Sequence, residues 1–424
     1  MSTSNDPDHF FQTSNSLAES TRKAKKSRNK HGSPIQLTSK ILSVIADPSH
    51  ADAIYVACSD GTARRLVLQS ILAADRQTPT QTGETTHTYR GPTAPLTSLA
   101  ISASSSSPTT TTTTTTTSPT LYASSWDKTI WSWDTATTRP LRRFQGHTDF
   151  VKCLLYLSLP LPPSPSRPPN SQANPRPEAR DVLVSGSADA SIIIWDVITT
   201  KRLHVLKSTT GPVTMRGVLA MAVDPATLPF PTPSSPKNKK EAGAGEGKVT
   251  FYTASSDPCI RRWYLSHDTR SAGEVTPDDG ATGAVHETSV NDLCFVPGME
   301  EEDKEMWTAS SDGFAKCLVP RRSTSAIKTT TSEEQGGWDV DTSLHHGDYV
   351  RAVCVDEAGG WIVTAGRDED VKVWDRGTGG LEVVLGGHFD EVTGLVVMGG
   401  RRVVSVGIDR TERELDELMD DDDR

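Results

Sequence analysis

The chain has 424 residues and a formal net charge of -10 at pH 7, and 35% of its residues are hydrophobic. This acidic balance argues against a general affinity for nucleic acid, because a protein that tracks the phosphate backbone needs excess Lys and Arg. The six cysteines are far apart and form no Cys-x-x-Cys pair for a metal, so we expect buried free thiols in a reducing compartment: Cys58, Cys153, Cys259, Cys294, Cys317 and Cys354.

The first 32 residues are predicted to be a disordered tail with a basic run at residues 22–30. This run fits a nuclear import signal, and it fits a solvated basic tail equally well. The N-terminus lacks the apolar run of a secretory signal, and no stretch approaches the length of a membrane span. We therefore expect an intracellular protein, in the nucleus or otherwise in the cytoplasm, with no membrane contact.

A repeated unit occurs seven times after this tail, and its clearest mark is an aspartate followed six residues later by a large apolar residue. Each pair follows a stretch rich in β-forming residues. The pairs, in chain order, are Asp60 with Leu66, Asp127 with Trp133, Asp189 with Trp195, Asp257 with Trp263, Asp312 with Leu318, Asp368 with Trp374 and Asp409 with Leu415.

Each unit also begins with a predicted strand that is apolar at its first, fourth and sixth positions. Strands that are apolar on both faces are expected where a sheet is packed between two neighbours. The seven sets are Ile41, Val44 and Ala46; Leu96, Leu99 and Ile101; Val151, Leu154 and Tyr156; Val218, Met221 and Val223; Val290, Leu293 and Phe295; Val350, Val353 and Val355; and Val392, Leu395 and Val397.

The third unit runs from Gly146-His147 to Trp195-Asp196 and resembles the WD repeat, in which Gly-His opens a unit and Trp-Asp closes it. In that family a His, a Ser or Thr, the turn Asp and a Trp form a buried hydrogen-bond chain. The resemblance implies a complete set in two units: His147, Ser185, Asp189 and Trp195, and His346, Thr364, Asp368 and Trp374. The other units lack one or more members.

The resemblance implies an all-β fold, a seven-bladed WD-repeat propeller over residues 33–415. The last unit leaves no sequence for its outer strand before an acidic tail at residues 416–424. A segment near residues 33–38 is predicted to supply that strand and close the ring, which removes the free sheet edges. The tail is either a docking peptide for a basic partner or a solubilising segment.

Four low-complexity insertions interrupt the repeats near residues 102–119, 159–180, 227–247 and 323–337. Their Ser, Thr, Pro, Lys and Gly residues cannot bury enough apolar surface to offset the entropy of ordering, so we expect disordered loops.

The residue types of His147, Ser185 and Asp189 are those of a nucleophilic triad. The resemblance assigns them a structural role instead, in which they satisfy one another inside a blade. The sequence contains no phosphate-binding loop and no metal-binding helix motif. We therefore predict no enzyme activity, no cofactor and no metal.

Partners of WD-repeat propellers commonly dock on the face that bears the loops before the first strand and the turn before the Asp. At these positions the chain has large side chains without a role in the core, which are candidate anchors for a partner or else incidental surface. They are Trp126, Phe150, Tyr349, Arg367, Phe389 and Ile408.

The sequence thus predicts a non-enzymatic scaffold that binds other proteins as a subunit of a multiprotein complex, in the nucleus if the basic run is an import signal. The alternatives on the same fold are a substrate-recognition adaptor of a ubiquitin ligase, and a chromatin, RNA-processing or ribosome-assembly factor. Direct binding to nucleic acid is not expected, because the chain is acidic.

Overall fold

A computed structural model describes residues 20, 21, 24, 33–68, 83–102, 118–160, 179–208, 215–228, 247–275, 284–299, 303–321, 337–356, 360–399, 402–409 and 411–415. Apart from three helical residues near the N-terminus and the 3₁₀ helix Pro225–Thr227, the regular structure in these ranges is β-strand. None of the helices in this part of the chain is long and apolar enough to cross a membrane.

The strands in the described ranges form seven antiparallel sheets of four strands each. In six of them, four strands that follow one another in the chain lie side by side. The first sheet contains β2 (Ile41–Ala46), β3 (Ala53–Cys58), β4 (Ala63–Leu68) and β5 (Gly83–Tyr89); the second β6 (Leu96–Ile101), β7 (Thr120–Ser125), β8 (Thr129–Asp134) and β9 (Pro140–Gln145); the third β10 (Val151–Pro160), β11 (Ala179–Ser187), β12 (Ile192–Asp196) and β13 (Arg202–Leu206).

The next three sheets repeat this arrangement, and the seventh combines both ends of the chain. The fourth sheet contains β14 (Val218–Val223), β15 (Lys248–Ser255), β16 (Ile260–Ser266) and β17 (Ala272–Val275); the fifth β18 (Val290–Phe295), β19 (Met306–Ser310), β20 (Phe314–Pro320) and β21 (Trp338–His345); the sixth β22 (Val350–Val355), β23 (Trp361–Gly366), β24 (Asp370–Asp375) and β25 (Leu381–Gly386); the seventh β26 (Val392–Met398), β27 (Arg402–Gly407), β28 (Thr411–Leu415) and β1 (Ser33–Gln36).

The innermost strand of each sheet contacts the innermost strand of the next, and β26 contacts β2, so that the seven sheets form a closed ring. This arrangement is a β-propeller, and the all-β propeller fold predicted from the sequence is confirmed. The seven innermost strands begin at the residues at which the apolar pattern predicted them. Each sheet is called a blade below, numbered as above.

The apolar residues are distributed over seven clusters, one at each contact between neighbouring blades. The second strands β3 and β19 are buried at every position, because blades pack against both of their faces. The outer strand β9 is exposed at five of six positions and is correspondingly polar. Since no blade has a core of its own, each depends on its two neighbours for burial of its apolar faces.

Side chains of the innermost strands also join neighbouring blades through hydrogen bonds. Thr97 donates to the carbonyl oxygen of Val151 in the next blade. The equivalent Thr393 donates to the carbonyl oxygen of Ile41 over 2.9 Å, which links the seventh blade to the first. Asn291 repeats the contact between the fifth and sixth blades, over 2.6 Å to the carbonyl oxygen of Val350.

The seventh blade is completed by antiparallel pairing of β1 with β28, in which Ser33 lies opposite Glu414 and Gln36 opposite Thr411. The side chain of Ile35 is buried in the cluster between the seventh and first blades. Without β1, the strand β28 would be an unpaired sheet edge.

The predicted limits of one insertion are wrong. Strand β10 extends to Pro160 and β11 begins at Ala179, so the insertion predicted at residues 159–180 is two residues shorter at each end. The reason is that Leu159 is fully buried and continues the inward alternation of the strand. The interiors of the four predicted insertions, nearly all of the N-terminal tail and its basic run, and residues 416–424 lie outside the described residues.

Removal of residues 1–38 should destabilise the whole ring, because it removes β1 and the buried Ile35 side chain. We expect a loss of about 2–4 kcal/mol in the free energy of unfolding and a lower thermal midpoint. Removal of residues 1–32 is the matched control and should leave the midpoint unchanged. Equal midpoints for the two truncated proteins, measured by calorimetry, would contradict a stabilising role for β1.

Candidate interaction face

One face of the propeller carries the loop before each innermost strand and the turn before each third strand. In every blade a backbone hydrogen bond of 2.9–3.1 Å joins the two, and we call this side the turn face. The N–H of the residue before the turn Asp donates to the carbonyl oxygen of the residue before the innermost strand. The pairs are Ser59 with Lys40, Trp126 with Pro95, Ala188 with Phe150, Ser256 with Gly217, Ser311 with Ser289, Arg367 with Tyr349, and Ile408 with Glu391.

The turn aspartates fold the chain back into the third strand. In the second blade, Oδ1 of Asp127 accepts the N–H of Thr129 over 2.9 Å, and in the third blade Oδ1 of Asp189 accepts that of Ser191 over 3.0 Å. In both blades the residue between the Asp and the residue that donates this N–H has a positive φ, which is 69° for Lys128. A short acidic side chain that accepts an N–H two residues later is the standard way to stabilise such a turn.

In the third blade the four predicted side chains are joined in one chain of hydrogen bonds. Trp195 donates its indole N–H to Oγ of Ser185 over 2.8 Å. That hydroxyl lies 2.8 Å from Nε2 of His147, whose Nδ1 lies 3.1 Å from Oδ2 of Asp189. Because a carboxylate only accepts, Nδ1 of His147 donates its N–H to Asp189. The Ser185 side chain is fully buried, so no substrate can reach it.

The sixth blade contains the same chain of hydrogen bonds, but the imidazole ring of His346 has the opposite orientation to that of His147. Trp374 donates to Oγ1 of Thr364 over 2.8 Å, Nδ1 of His346 lies 2.9 Å from that hydroxyl, and Nε2 lies 2.9 Å from Oδ1 of Asp368. Lys372 adds an ion pair of 2.9 Å to the other carboxylate oxygen. The fully buried Thr364 is again inaccessible to a substrate.

Two further blades contain the histidine, the hydroxyl and the Asp but not the Trp. In the fifth blade His286 lies between Thr308 and Asp312, with both distances 2.8 Å. In the seventh blade the ring of His388 lies 2.8 Å from Oγ of Ser405 and 3.1 Å from Oδ2 of Asp409.

The blades without a histidine use other partners, which the sequence analysis missed. In the fourth blade Arg261 pairs with Asp257 over 3.0 Å, and both side chains are buried. In the first blade Arg64 pairs with Asp60 over 2.7 Å. An arginine four residues after the turn Asp is the signal that could have identified these pairs.

The second blade lacks both the histidine and the hydroxyl of the set. There the indole N–H of Trp133 donates to the carbonyl oxygen of Arg90 over 2.9 Å, so the fully buried ring still has a hydrogen-bond partner. A backbone acceptor thus replaces the missing Ser or Thr side chain.

Burial raises the pKa of Asp368, but hydrogen bonds from His346 and Lys372 outweigh this effect and lower the pKa to about 2. The folded pKa is therefore below the unfolded value of about 3.9. A carboxylate of this kind stabilises the fold above the unfolded pKa, and its contribution is lost as the pH falls through the folded pKa.

The substitution Asp368→Asn should lower the free energy of unfolding by about 1–3 kcal/mol at neutral pH, because it removes a charged acceptor from a buried set. The gap between variant and parent should be constant from about pH 7 to about pH 5 and should narrow as the pH falls from about 5 to about 2, the pKa of the folded carboxylate. Urea unfolding followed by tryptophan fluorescence measures the gap. The exposed Glu382, changed to Gln, is the control, and a gap independent of pH would contradict the assigned role of Asp368.

Two of the predicted anchors, Trp126 of the second blade and Phe150 of the third, form one aromatic surface. Their rings are stacked with centroids 5.4 Å apart, and 40% and 38% of their surfaces are exposed. The ammonium group of Lys152 lies 5.7 Å from the Trp126 ring centroid and 5.9 Å from that of Phe150. This geometry is that of a cation–π contact shared by two rings.

A second pair lies in the sixth blade, where the guanidinium of Arg367 is 5.4 Å from the ring centroid of Tyr349. The pair depends on Gly366, because a Cβ at this position would lie 2.1 Å from the carbonyl oxygen of Tyr349. Two residues after Tyr349, Arg351 forms an ion pair with Glu391 of the seventh blade.

Phe389 and Ile408 belong to the seventh blade and also lie on the turn face. The N–H of Phe389 donates to Oδ2 of Asp409 over 2.9 Å, and its side chain is 37% exposed. Within the described ranges its ring makes no aromatic contact, and Ile408 is only partly exposed. The structure therefore brings four of the six predicted anchors together as two pairs.

Sequence reasoning missed two cations, of which Lys152 lies against the first pair and Arg351 follows Tyr349 of the second pair by two residues. Lys152 and Arg351 are each the second residue of an innermost strand, β10 and β22, and so lie at the end of the strand that is next to the turn face. Burial and the positive charge of Arg351 lower the pKa of Lys152, which Asp149 only partly offsets. The residues Trp126, Phe150, Lys152, Tyr349, Arg351 and Arg367 are called the mouth surface below.

An acidic group farther along the inner wall was also missed. Asp292 accepts the N–H of Val353 in the next blade over 3.1 Å, and desolvation by the surrounding strands raises its pKa to about 7. Among the described residues no group of three or more His, Cys, Asp or Glu side chains is placed to hold a metal ion.

Known proteins resemble the chain in sequence and in fold. The family model described as WD domain, G-beta repeat matches residues 83–134, 138–196 and 339–375, and each segment ends with the third strand of a blade. An uncharacterized WD repeat-containing protein of Schizosaccharomyces pombe is 28% identical over 415 residues, which cover 97% of this chain and 89% of that protein.

Two further similarities are more limited. The GATOR2 complex protein WDR24 of Danio rerio is 28% identical over 158 residues, which cover 30% of this chain and only 19% of that protein. The crystal structure of the WD40 β-propeller domain of Doa1 matches with a TM-score of 0.56 at 17% identity, over 91% of this chain and 96% of that one, and so shows the fold alone.

Proposed function

Since the chain belongs to the WD-repeat propellers, we propose that it acts as a non-enzymatic scaffold that binds other proteins through its turn face. The observation that supports this role most directly is the mouth surface, on which a stacked aromatic pair and a tyrosine–arginine pair are exposed. Large aromatic and arginine side chains are the residue types that contribute most to protein interfaces.

The hydrogen-bond sets favour a scaffold over an enzyme. In the four sets that contain a histidine, the hydroxyl that lies opposite the turn Asp across the imidazole ring is buried, in Ser185, Thr308, Thr364 and Ser405 alike. A catalytic nucleophile must reach its substrate, whereas these hydroxyls only connect a tryptophan or a strand to the turn. The sets stabilise the turns that hold the aromatic side chains in place.

We place the protein in a multiprotein complex. One relative, WDR24 of Danio rerio, is by its name a protein of the GATOR2 complex. The basic run at residues 22–30 supports a nuclear location. A ubiquitin-ligase adaptor and a chromatin, RNA-processing or ribosome-assembly factor are the other roles that the same face would serve.

The test is purification from the native cells with a variant in which Trp126, Phe150, Tyr349 and Arg367 are alanine. We expect the parent to retain stoichiometric partners and the folded variant to lose them, because the anchors of an interface contribute most of its binding energy. Quantitative mass spectrometry of the purified material measures the loss, and an unchanged thermal midpoint shows that the variant is folded.

The matched control replaces four exposed apolar residues away from the turn face, namely Ile198, Val205, Leu381 and Val384, by alanine. It should retain every partner. Loss of the partners from the control but not from the turn-face variant would move the interface to the outer strands, and absence of any partner would contradict the scaffold.

A further inference from the structure

We propose that the mouth surface binds an acidic peptide segment of its partner, with a carboxylate held between Lys152 and Arg351. An apolar side chain next to that carboxylate packs on Trp126 and Phe150. This inference rests on the proposed scaffold function and specifies the chemistry of what the scaffold binds.

Lys152 is the first part of the argument. Its ammonium group is partly buried, and no carboxylate of the described residues lies within ion-pair distance of it. Its contacts are the faces of Trp126 and Phe150. A desolvated cation of this kind gains more from an incoming anion than a solvated surface lysine does.

The inner wall shows that the fold does not need a cation at this position. The equivalent second residues of three other innermost strands are Thr97, Asn291 and Thr393, which hydrogen-bond to the next blade. In the third and sixth blades this link is replaced by Lys152 and Arg351. Their positive charges repel each other, and an anion between them removes that repulsion.

The acidic side chains around the mouth are already engaged. Oδ1 of Asp149 accepts the N–H of Phe150 over 2.8 Å, and Oδ1 of Asp348 accepts that of Tyr349 over 2.7 Å. Glu391 is paired with Arg351. Because these carboxylates have other partners, the ammonium group of Lys152 is available to a ligand carboxylate. The guanidinium of Arg367 contacts the ring of Tyr349.

A peptide fits the mouth better than nucleic acid does. The net charge of -10 repels a long polyanion, whereas a short acidic segment has few charges and is repelled much less. The stacked Trp126 and Phe150 rings offer an apolar platform next to Lys152. A carboxylate followed by an apolar or aromatic side chain satisfies both features at once.

A display selection tests this proposal. Short random peptides are selected on the full-length protein, and the peptides that bind are sequenced. We expect Asp or Glu next to an apolar residue in the selected set. Peptides without acidic enrichment, or no selected peptide at all, would overturn the proposal.

The selected consensus peptide is then labelled, and its binding is measured by fluorescence anisotropy. Binding should weaken at least tenfold, about 1.4 kcal/mol, when its Asp and Glu are replaced by Asn and Gln, and also for the Lys152→Ala, Arg351→Ala double variant. The double variant Arg139→Ala, Lys201→Ala is the control, because it removes the same number of positive charges. Both residues lie in exposed turns between the third and fourth strands of a blade, on the side away from the turn face. This control should bind the peptide as the parent does. Equal affinity of the mouth variant and the parent would overturn the proposal.

Two comparisons separate this inference from its alternatives. A single-stranded oligonucleotide that binds more tightly than the peptide, and loses affinity in the mouth variant, would replace the peptide with nucleic acid. If native partners are lost with the four turn-face alanines but retained by the Lys152→Ala, Arg351→Ala variant, the scaffold stands and the acidic-peptide inference fails.

Discussion

Closure of the ring is the constraint on which the rest of the structure depends. The apolar clusters lie between blades, so each blade is stable only when both neighbours are present. A chain of such units exposes an apolar face at each end unless the ends meet. They meet in the seventh blade, where β1 from the beginning of the described strands pairs with β28 from their end. The contact of Thr393 with Ile41 lies at the same junction.

The turn face follows from this closed scaffold. Seven backbone hydrogen bonds join the loop before each innermost strand to the turn before each third strand. The turn aspartates stabilise those turns by accepting backbone N–H groups. In four blades a histidine and a hydroxyl connect the Asp to the blade interior, and in the other three an arginine pairs with it. The fold thus tolerates different partners for the Asp, provided that the buried polar groups are satisfied. These backbone positions bring together the aromatic side chains of this face, and Trp126 then stacks on Phe150.

The sequence predicted the fold in detail because propeller geometry is encoded locally. The start of every innermost strand, such as Val151, and the turn Asp six residues before a large apolar residue are short-range patterns. The hydrogen-bond sets were predictable for the same reason, since the family resemblance assigns each member by its place in the repeat. The limits of the insertion after β10 were not predictable, because the proline-rich composition begins before the burial of Leu159 ends.

The arrangement of the mouth surface was beyond sequence reasoning. Trp126 and Phe150 are separated in sequence and lie on different blades, and only the ring places their side chains in contact. The effect of the Arg351 charge on the pKa of Lys152 likewise joins residues of two blades that are three positions apart. A pattern search within one repeat cannot detect contacts between repeats, so the candidate residues were identified while their grouping was not.

Hydrogen exchange of the intact protein tests the central claim, that the N-terminal strand closes the ring. The account predicts that backbone amides of β28 exchange as slowly as those of β24, the third strand of the sixth blade, because both are paired on their two sides. If β1 did not pair with β28, that strand would be an edge. Fast exchange in Thr411–Leu415 beside slow exchange in Asp370–Asp375 would contradict the account.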